Sequence, residues 1–146
     1  FPKESWKNAR EKAKAAIKTD SKFEAYATDI DPKCVEIASA AAKRAGVDDM
    51  LNIFTMDALD IDTLGRRGTI VTNPPYGDRL LTVDEANDLY RAMGQAFSRL
   101  DRWQIYVITQ SEEFPKLYGR RADKIRKLYN GMIPCYYYQF FKQQNK

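Results

Sequence analysis

Apolar residues recur along this chain with two periods, and the switches between them mark out the elements. Residues 5–18 place apolar positions at helical spacing among Ala, Lys and Glu, which predicts an amphipathic helix with Ser5 as N-cap. Phe23, Ala25 and Ala27 then alternate with their neighbours, the period of a strand, and the alternation stops at Asp29. Asp31 before Pro32 is a helix start: a capping carboxylate precedes a proline placed where its missing N–H costs nothing. Val35, Ile37, Ala38, Ala41, Ala42 and Ala45 carry that helix to Gly46, which suits the left-handed position that ends one.

A short strand over residues 51–56 runs into Asp57-Ala58. Thr69-Ile70-Val71-Thr72 is β-branched throughout and predicts a buried strand. It is cut off by Asn73-Pro74-Pro75-Tyr76-Gly77, which fits neither a helix nor a sheet interior. Residues 84–100 set Ala86, Leu89, Tyr90, Met93, Ala96, Phe97 and Leu100 on one side of a helix. An apolar strand at 103–109, a short helix at 112–117 and a hairpin follow, the hairpin's strands (126–129 and 132–141) joined by Asn130-Gly131. This succession predicts one α/β domain over residues 1–146, its sheet mainly parallel and closed by an antiparallel hairpin.

Composition narrows the chemistry. With 146 residues and no histidine, the chain has no Ser-His-Asp or Cys-His machinery and no histidine-ligated zinc. Two cysteines, Cys34 and Cys135, cannot make a four-cysteine zinc site or a disulfide framework, so no metal is expected and a reducing cytoplasm is the default. No apolar run approaches the roughly 18 residues of a membrane span, and the first residues do not read as a signal peptide. The seven glycines include no G-x-G spacing, so neither a dinucleotide fingerprint nor a P-loop is present. Against a net charge of +4, residues 116–127 carry Lys116, Arg120, Arg121, Lys124, Arg126 and Lys127 with only Asp123 opposing them. Most such runs are solvated faces; a phosphate-contacting patch is the rarer reading.

Ligands of open parallel sheets sit beyond the carboxyl ends of the strands, and three strands here end in polar punctuation: Asp29, Asp57 and the Asn73 corner. Asp29 is placed to accept the ribose hydroxyls of a nucleoside cofactor; Asp31 competes, but as an N-cap it already serves backbone donors. Asp57 could accept from an adenine amino group while the Ala58 N–H meets a ring nitrogen. Taken singly, each acid is more often a cap or a turn former.

Asn73-Pro74-Pro75-Tyr76 is sharper, arising by chance in such a chain on the order of once in thousands. A rigid turn explains the prolines but not the amide and the aromatic that bracket them. An exocyclic amino group on a nucleobase is a poor nucleophile because its lone pair is delocalised into the ring. The Asn73 side-chain oxygen and the Pro74 carbonyl can accept its two hydrogens and favour a localised lone pair, with proline fixing the acceptors in advance. Tyr76 offers a flat face for a base drawn out of its stack. No general base is needed before attack on a sulfonium carbon, since the resulting cationic amine sheds its proton afterwards.

Asp29-Ile30-Asp31-Pro32, Asp57-Ala58 and Asn73-Pro74-Pro75-Tyr76-Gly77, in this order, resemble the Rossmann-like S-adenosylmethionine-dependent amino-methyltransferases. The extension of the last motif through Asp78, Arg79 and Leu80, with Lys127-Leu128-Tyr129-Asn130-Gly131-Met132-Ile133, is similar to a narrower group. That group is the bacterial 23S rRNA guanine-N2 methyltransferases of the RlmL type, often labelled N6-adenine-specific DNA methylases. The resemblance implies S-adenosylmethionine as cofactor, with Asp29 on its ribose, Ile30 packed on its adenine, and Asp57 with Ala58 at the adenine edge. Asn73 would lie at the junction of cofactor and substrate. Asn73, Pro74 and Tyr76 would position the target amino group; Pro75, Tyr76 and Arg79 would meet the substrate.

The same resemblance implies methylation of a base amino group in RNA, most specifically guanine N2 of 23S rRNA. A DNA adenine-N6 methyltransferase is the alternative within the class, and a catalytically silent RNA-binding fragment the alternative outside it. The family's first strand, its glycine-rich loop and its N-terminal RNA-binding modules have no counterpart in this sequence. In that fold the first strand lies between the strands bearing Asp29 and Asn73. The chain is therefore expected to be the C-terminal part of a catalytic domain, to need the upstream part of the same protein as partner, and to be inactive alone. Cys34 and Cys135 are expected to pack and do no more.

Overall fold

A proline fits at the mouth of a helix, and Pro2, rather than Ser5, is the residue in front of the first one. In the computed structural model, which describes residues 2–18, 24–76 and 81–142, α1 spans Lys3–Ala15 with Pro2 at the N-cap and no side-chain cap. Ser5 lies inside the first turn and its N–H donates to the Pro2 carbonyl at 3.1 Å. The chain divides into two compact units, residues 1–55 and 56–146.

The first unit contains α1, β1 (Ala25–Asp29), α2 (Pro32–Ala45) and β2 (Leu51–Thr55). β1 and β2 pair in parallel, Ala25 opposite Leu51 and Asp29 opposite Thr55. Ala25 and Ala27 are half-buried and alternate with the exposed Tyr26 and Thr28, as the period-two pattern requires; Phe23 lies outside the described residues. α2 starts and stops where its signals stand: the Asp31 carboxylate accepts the Lys33 N–H, Pro32 opens the helix, and Gly46 closes it at φ 68°.

The second unit is a four-stranded sheet in the order β3-β4-β6-β5, with β3 at Gly68–Thr72, β4 at Trp103–Thr109, β5 at Lys124–Asn130 and β6 at Ile133–Phe140. β3 and β4 are parallel; β6 runs antiparallel to both β4 and β5. Among the described residues no strand pairs with the free edge of β1 or of β3.

α3 (Val83–Phe97) and α4 (Phe114–Tyr118) lie on one face of this sheet. Thr82 caps α3 through a reciprocal pair: its hydroxyl accepts the Glu85 N–H while the Glu85 carboxylate accepts the Thr82 N–H. The core lies between helices and sheet, where Ala86, Tyr90, Met93, Phe97, Leu100, Phe114 and Tyr118 meet Ile105, Val107, Tyr138 and Phe140. Phe114 is the hub, with ring centroids 4.9 Å from Tyr90, 5.2 Å from Tyr118 and 5.5 Å from Tyr138.

Two further readings of the sequence need correction. β3 is not a buried strand: Val71 is 69% exposed, and the strand alternates half-buried with exposed positions. It is an edge strand with a core on one face only, so β-branched composition reflected strand propensity rather than two-sided burial. The hairpin turn also sits one residue later than Asn130-Gly131. Asn130 pairs with Ile133, leaving Gly131 and Met132 as the two-residue loop, with Gly131 at φ 63°.

Candidate active site

Three chain segments carry the residues singled out from the sequence, and each is shaped by short-range hydrogen bonds at the end of a strand. β1 ends in the exposed Asp29, whose Oδ1 accepts the Asp31 N–H at 2.9 Å. Asp31 in turn spends its Oδ1 on the Lys33 N–H at 2.9 Å, and its Oδ2 faces the Cys34 thiol at 3.9 Å. Asp31 is committed to its helix, whereas the Asp29 Oδ2 has no protein partner among the described residues. Between them the Ile30 side chain is 68% exposed, an apolar surface held out beside a carboxylate. Desolvation, with the charges of Asp29 and Asp31 behind it, pushes the Cys34 thiol up from its ordinary value.

β2 stops at Thr55, and two residues on, the half-buried Asp57 caps a single 3₁₀ turn (Ala58–Asp60), its Oδ1 accepting the Leu59 N–H at 2.9 Å. Ala58, the first residue of that turn, is exposed. Both acids picked out at strand ends therefore shape a local turn with one oxygen, as most such acids do.

The third segment follows β3. Asn73 is exposed, Pro74 buried, and Pro75 and Tyr76 half-buried. The Tyr76 hydroxyl donates to Asn73 Oδ1, so the phenol closes over the amide. Behind this corner stands a residue whose role the sequence did not reveal. Tyr90 of α3, 1% exposed, donates its hydroxyl to the Pro75 carbonyl at 2.9 Å and lies 3.0 Å from Thr109 Oγ1 at the end of β4. The Ser111 N–H donates to that Thr109 oxygen at 3.2 Å. One direction satisfies every group: Ser111 N–H to Thr109, Thr109 O–H to Tyr90, Tyr90 O–H to Pro75. Burial raises the Tyr90 hydroxyl pKa, against a smaller lowering by the Thr109 bond, so it remains a donor. The available signal was a tyrosine on the apolar side of a helix, since a buried phenol must find a partner.

With its carbonyl tied inward, Pro75 is anchored to the core, while Asn73 at the start of the corner is exposed. The carbonyl of Pro74 and the amide oxygen of Asn73 are acceptors of the kind an amino group requires. Gly77 and Arg79 lie outside the described residues. Among those described, no group of three His, Cys, Asp or Glu side chains could hold a metal ion, and no helix is long and apolar enough to cross a membrane.

Residues 1–139 match the family model described as RMKL-like, methyltransferase domain. The candidate RNA methyltransferase YpsC of Bacillus subtilis (strain 168) is 40% identical over 141 residues, 97% of this chain and 37% of YpsC. Ribosomal RNA large subunit methyltransferase K/L of Shewanella frigidimarina (strain NCIMB 400) is 34% identical over 119 residues, 81% of this chain and 17% of that protein. Among solved structures, SMU.472, a candidate methyltransferase complexed with SAH, superposes with a TM-score of 0.89 at 34% identity, covering 100% of this chain and 39% of that one.

The α/β fold, with parallel strands and a closing antiparallel hairpin, is that of the Rossmann-like methyltransferases on which it superposes. The chain belongs to the family of RMKL-like methyltransferase domains. It spans little more than a third of the length of YpsC and less than a fifth of that of the K/L enzyme.

Proposed function

We propose that this chain is part of the catalytic domain of an S-adenosylmethionine-dependent RNA methyltransferase that acts on an exocyclic base amino group, most specifically guanine N2 of 23S rRNA. The observation that carries the reading is the Asn73–Tyr76 corner, an exposed amide and a half-buried phenol anchored to the core by the Tyr90 hydroxyl on the Pro75 carbonyl. Asn73 Oδ1 and the Pro74 carbonyl would accept the two hydrogens of the target amino group. Tyr76 would move its hydroxyl off Asn73 and present its ring to the base, with Pro75 and Arg79 as further substrate contacts.

The donor set of the first two segments suits the cofactor. Asp29 keeps one carboxylate oxygen for ribose hydroxyls, Ile30 offers an exposed apolar surface for adenine, and Asp57 with Ala58 supplies an acceptor and an N–H for the adenine edge. Bound S-adenosylmethionine would supply an electrophilic sulfonium methyl group. The protein's own part is to hold the amino group in place, which makes a histidine-free chain sufficient.

The relatives' greater length and the separate β1–β2 and β3-β4-β6-β5 ladders support the reading that residues 1–146 are one portion of a single catalytic domain completed by other parts of the same protein. On this reading the portion alone binds the cofactor poorly and is inactive, and the complete protein works in the cytoplasm, where ribosomal RNA is made.

The test is tritium transfer from labelled S-adenosylmethionine by the complete protein, with ribosomal RNA, duplex DNA and peptide as acceptors. Label should enter RNA guanine and should fall about a hundredfold or more with Asn73→Ala, the scale of losing a transition-state hydrogen-bond partner. Label in DNA adenine would move the activity to the DNA class. Full methylation by the Asn73→Ala protein would remove the catalytic assignment.

A further inference from the structure

The β-hairpin at the far side of the sheet reaches past the same edge that carries the Asn73 corner. Register fixes this. Thr72, the last residue of β3, pairs with Val107; Val107 pairs with Tyr138; and Tyr138 pairs with Ile125. From Ile125 the hairpin continues for five more rungs to Asn130–Ile133, the last three beyond the end of β4 at Thr109. At about 3.3 Å per residue it overhangs the level of Asn73 by roughly 13 Å.

One face of the overhang is continuous with the corner. Thr109, which holds Tyr90 against Pro75, shares a rung with Tyr136 of β6 and Lys127 of β5. Side chains on paired residues of one rung leave the same face, so Lys127 lies two strands, about 10 Å, from the Tyr90 anchor. Its ammonium sits over the Tyr136 ring, 5.7 Å from the centroid, and makes no ion pair among the described residues. Glu112 also reaches this rung, where it accepts the Tyr136 hydroxyl. Two rungs further out on that face is Tyr129, 66% exposed, and the loop beyond it holds Met132 at 94%.

The basic segment that contains this strand divides once its bonds are known. Lys116 pairs with Glu113, and Arg120 is held by Asp123 and by the Phe141 carbonyl. Lys124 and Arg126 leave the opposite face, since they alternate with Ile125 and Lys127. A cation with no ion pair among the described residues and an exposed aromatic, one strand period apart and beyond the level of the corner, suit a phosphate contact next to a stacking platform. That combination is how proteins hold single-stranded nucleic acid.

We propose that the Lys127–Tyr129 face of the hairpin is a docking surface for single-stranded RNA, holding the nucleotides beside the target while the target base lies on the Asn73–Tyr76 corner. The proposal rests on the RNA methyltransferase reading and adds to it the element that grips the substrate. Lys127 would contact a backbone phosphate, and Tyr129 would stack on a base.

Binding of a fluorescently labelled single-stranded RNA oligonucleotide to the complete protein, followed against salt concentration, tests it. Tyr129→Ala should weaken binding about tenfold, the scale of one lost stacking partner. Lys127→Gln should lower the slope of log affinity against log salt by about 0.7, one phosphate contact on a single strand. Arg126→Gln removes the same charge from the other face and should leave both quantities near wild type. Cofactor affinity and thermal midpoint should be unchanged in all three, because the residues are exposed. Wild-type binding by the Lys127 and Tyr129 variants, or an equal loss with Arg126→Gln, would overturn the proposal. Because the readout is RNA binding, it can fail while methylation by the wild-type protein stands; loss of the methylation assignment itself would show in the Asn73→Ala assay.

Discussion

The buried hydroxyl of Tyr90 donates to the carbonyl of Pro75 at 2.9 Å, so a core residue of α3 fixes the loop that follows β3. Proline lowers the freedom of that loop but does not set its direction; the phenol does, because a carbonyl that has found a donor inside the core keeps its orientation. Tyr90→Phe keeps the ring and its packing on Phe114 and removes only this bond and the one to Thr109. It should cost about 1–2 kcal/mol in urea denaturation, the price of leaving a part-buried carbonyl without its partner. In methyl transfer by the complete protein, kcat should drop roughly tenfold with KM for S-adenosylmethionine unchanged. A KM that rises with kcat constant would mean that Tyr90 supports binding and not the corner.

Asp29 should matter for the cofactor in proportion to what its carboxylate can still accept. One oxygen holds the Asp31 N–H, so Asp29→Asn can keep the turn through its amide oxygen and lose only an acceptor, while Asp29→Ala loses both. Titration calorimetry of the complete protein with S-adenosylmethionine should show roughly tenfold weaker binding for Asn and weaker still for Ala. Thermal stability should fall only for Ala. Equal cofactor affinity in wild type and Asp29→Asn would take Asp29 out of the ribose site.

Much of this was legible because the decisive signals are local. Asp31-Pro32 and Gly46 bound α2 as their φ preferences demand, and the apolar side of α3 is the buried one, with Ala86, Tyr90, Met93 and Phe97 all inside, although the helix ends at Phe97 and Leu100 is buried just beyond it. The misread features depended on partners distant in sequence. Val71 has the composition of a buried residue and lies on a face that no described helix covers, which no local pattern reports. Tyr90 looked like one more apolar position. Only the fold brings its hydroxyl to Pro75 and Thr109, which are 15 and 19 residues away.

Gly94 makes a packing prediction. A Cβ built there would stand 2.1 Å from the Tyr118 backbone oxygen and 2.8 Å from its carbonyl carbon, so α3 meets the end of α4 through bare backbone. In an exposed helix, Gly→Ala would gain up to about 1 kcal/mol of helix propensity. Here the opposing atoms are main chain and cannot swing away, and overpacking of this kind costs about 1–3 kcal/mol or more. Gly94→Ala should therefore lower the urea midpoint at unchanged slope, and Gly94→Ser should do so at least as strongly. An unchanged or raised midpoint would show that the two helices can separate freely.

Alkaline pH should destabilise the second unit through two of its core phenols. Burial pushes the Tyr118 hydroxyl up to about 12, against the pull of Arg120. It does the same for Tyr138, with smaller contributions from Tyr136, Glu112 and Glu113. An unfolded tyrosine ionises near 10. Because the folded values lie higher, their contribution to stability is complete below about pH 10 and is lost as pH climbs from there through about 12. Across that window the unfolded chain releases protons that the native state keeps. Each phenol then removes up to about 1.4 kcal/mol per pH unit, less where water still screens it. Stability from urea melts should be flat between about pH 8 and 9.5 and should fall steeply above 10. Tyr118→Phe and Tyr138→Phe should each make that fall shallower, although Tyr138→Phe also gives up a 2.9 Å bond to the Ser111 carbonyl and so starts lower. A double variant with the full wild-type slope would place the alkaline transition in other groups.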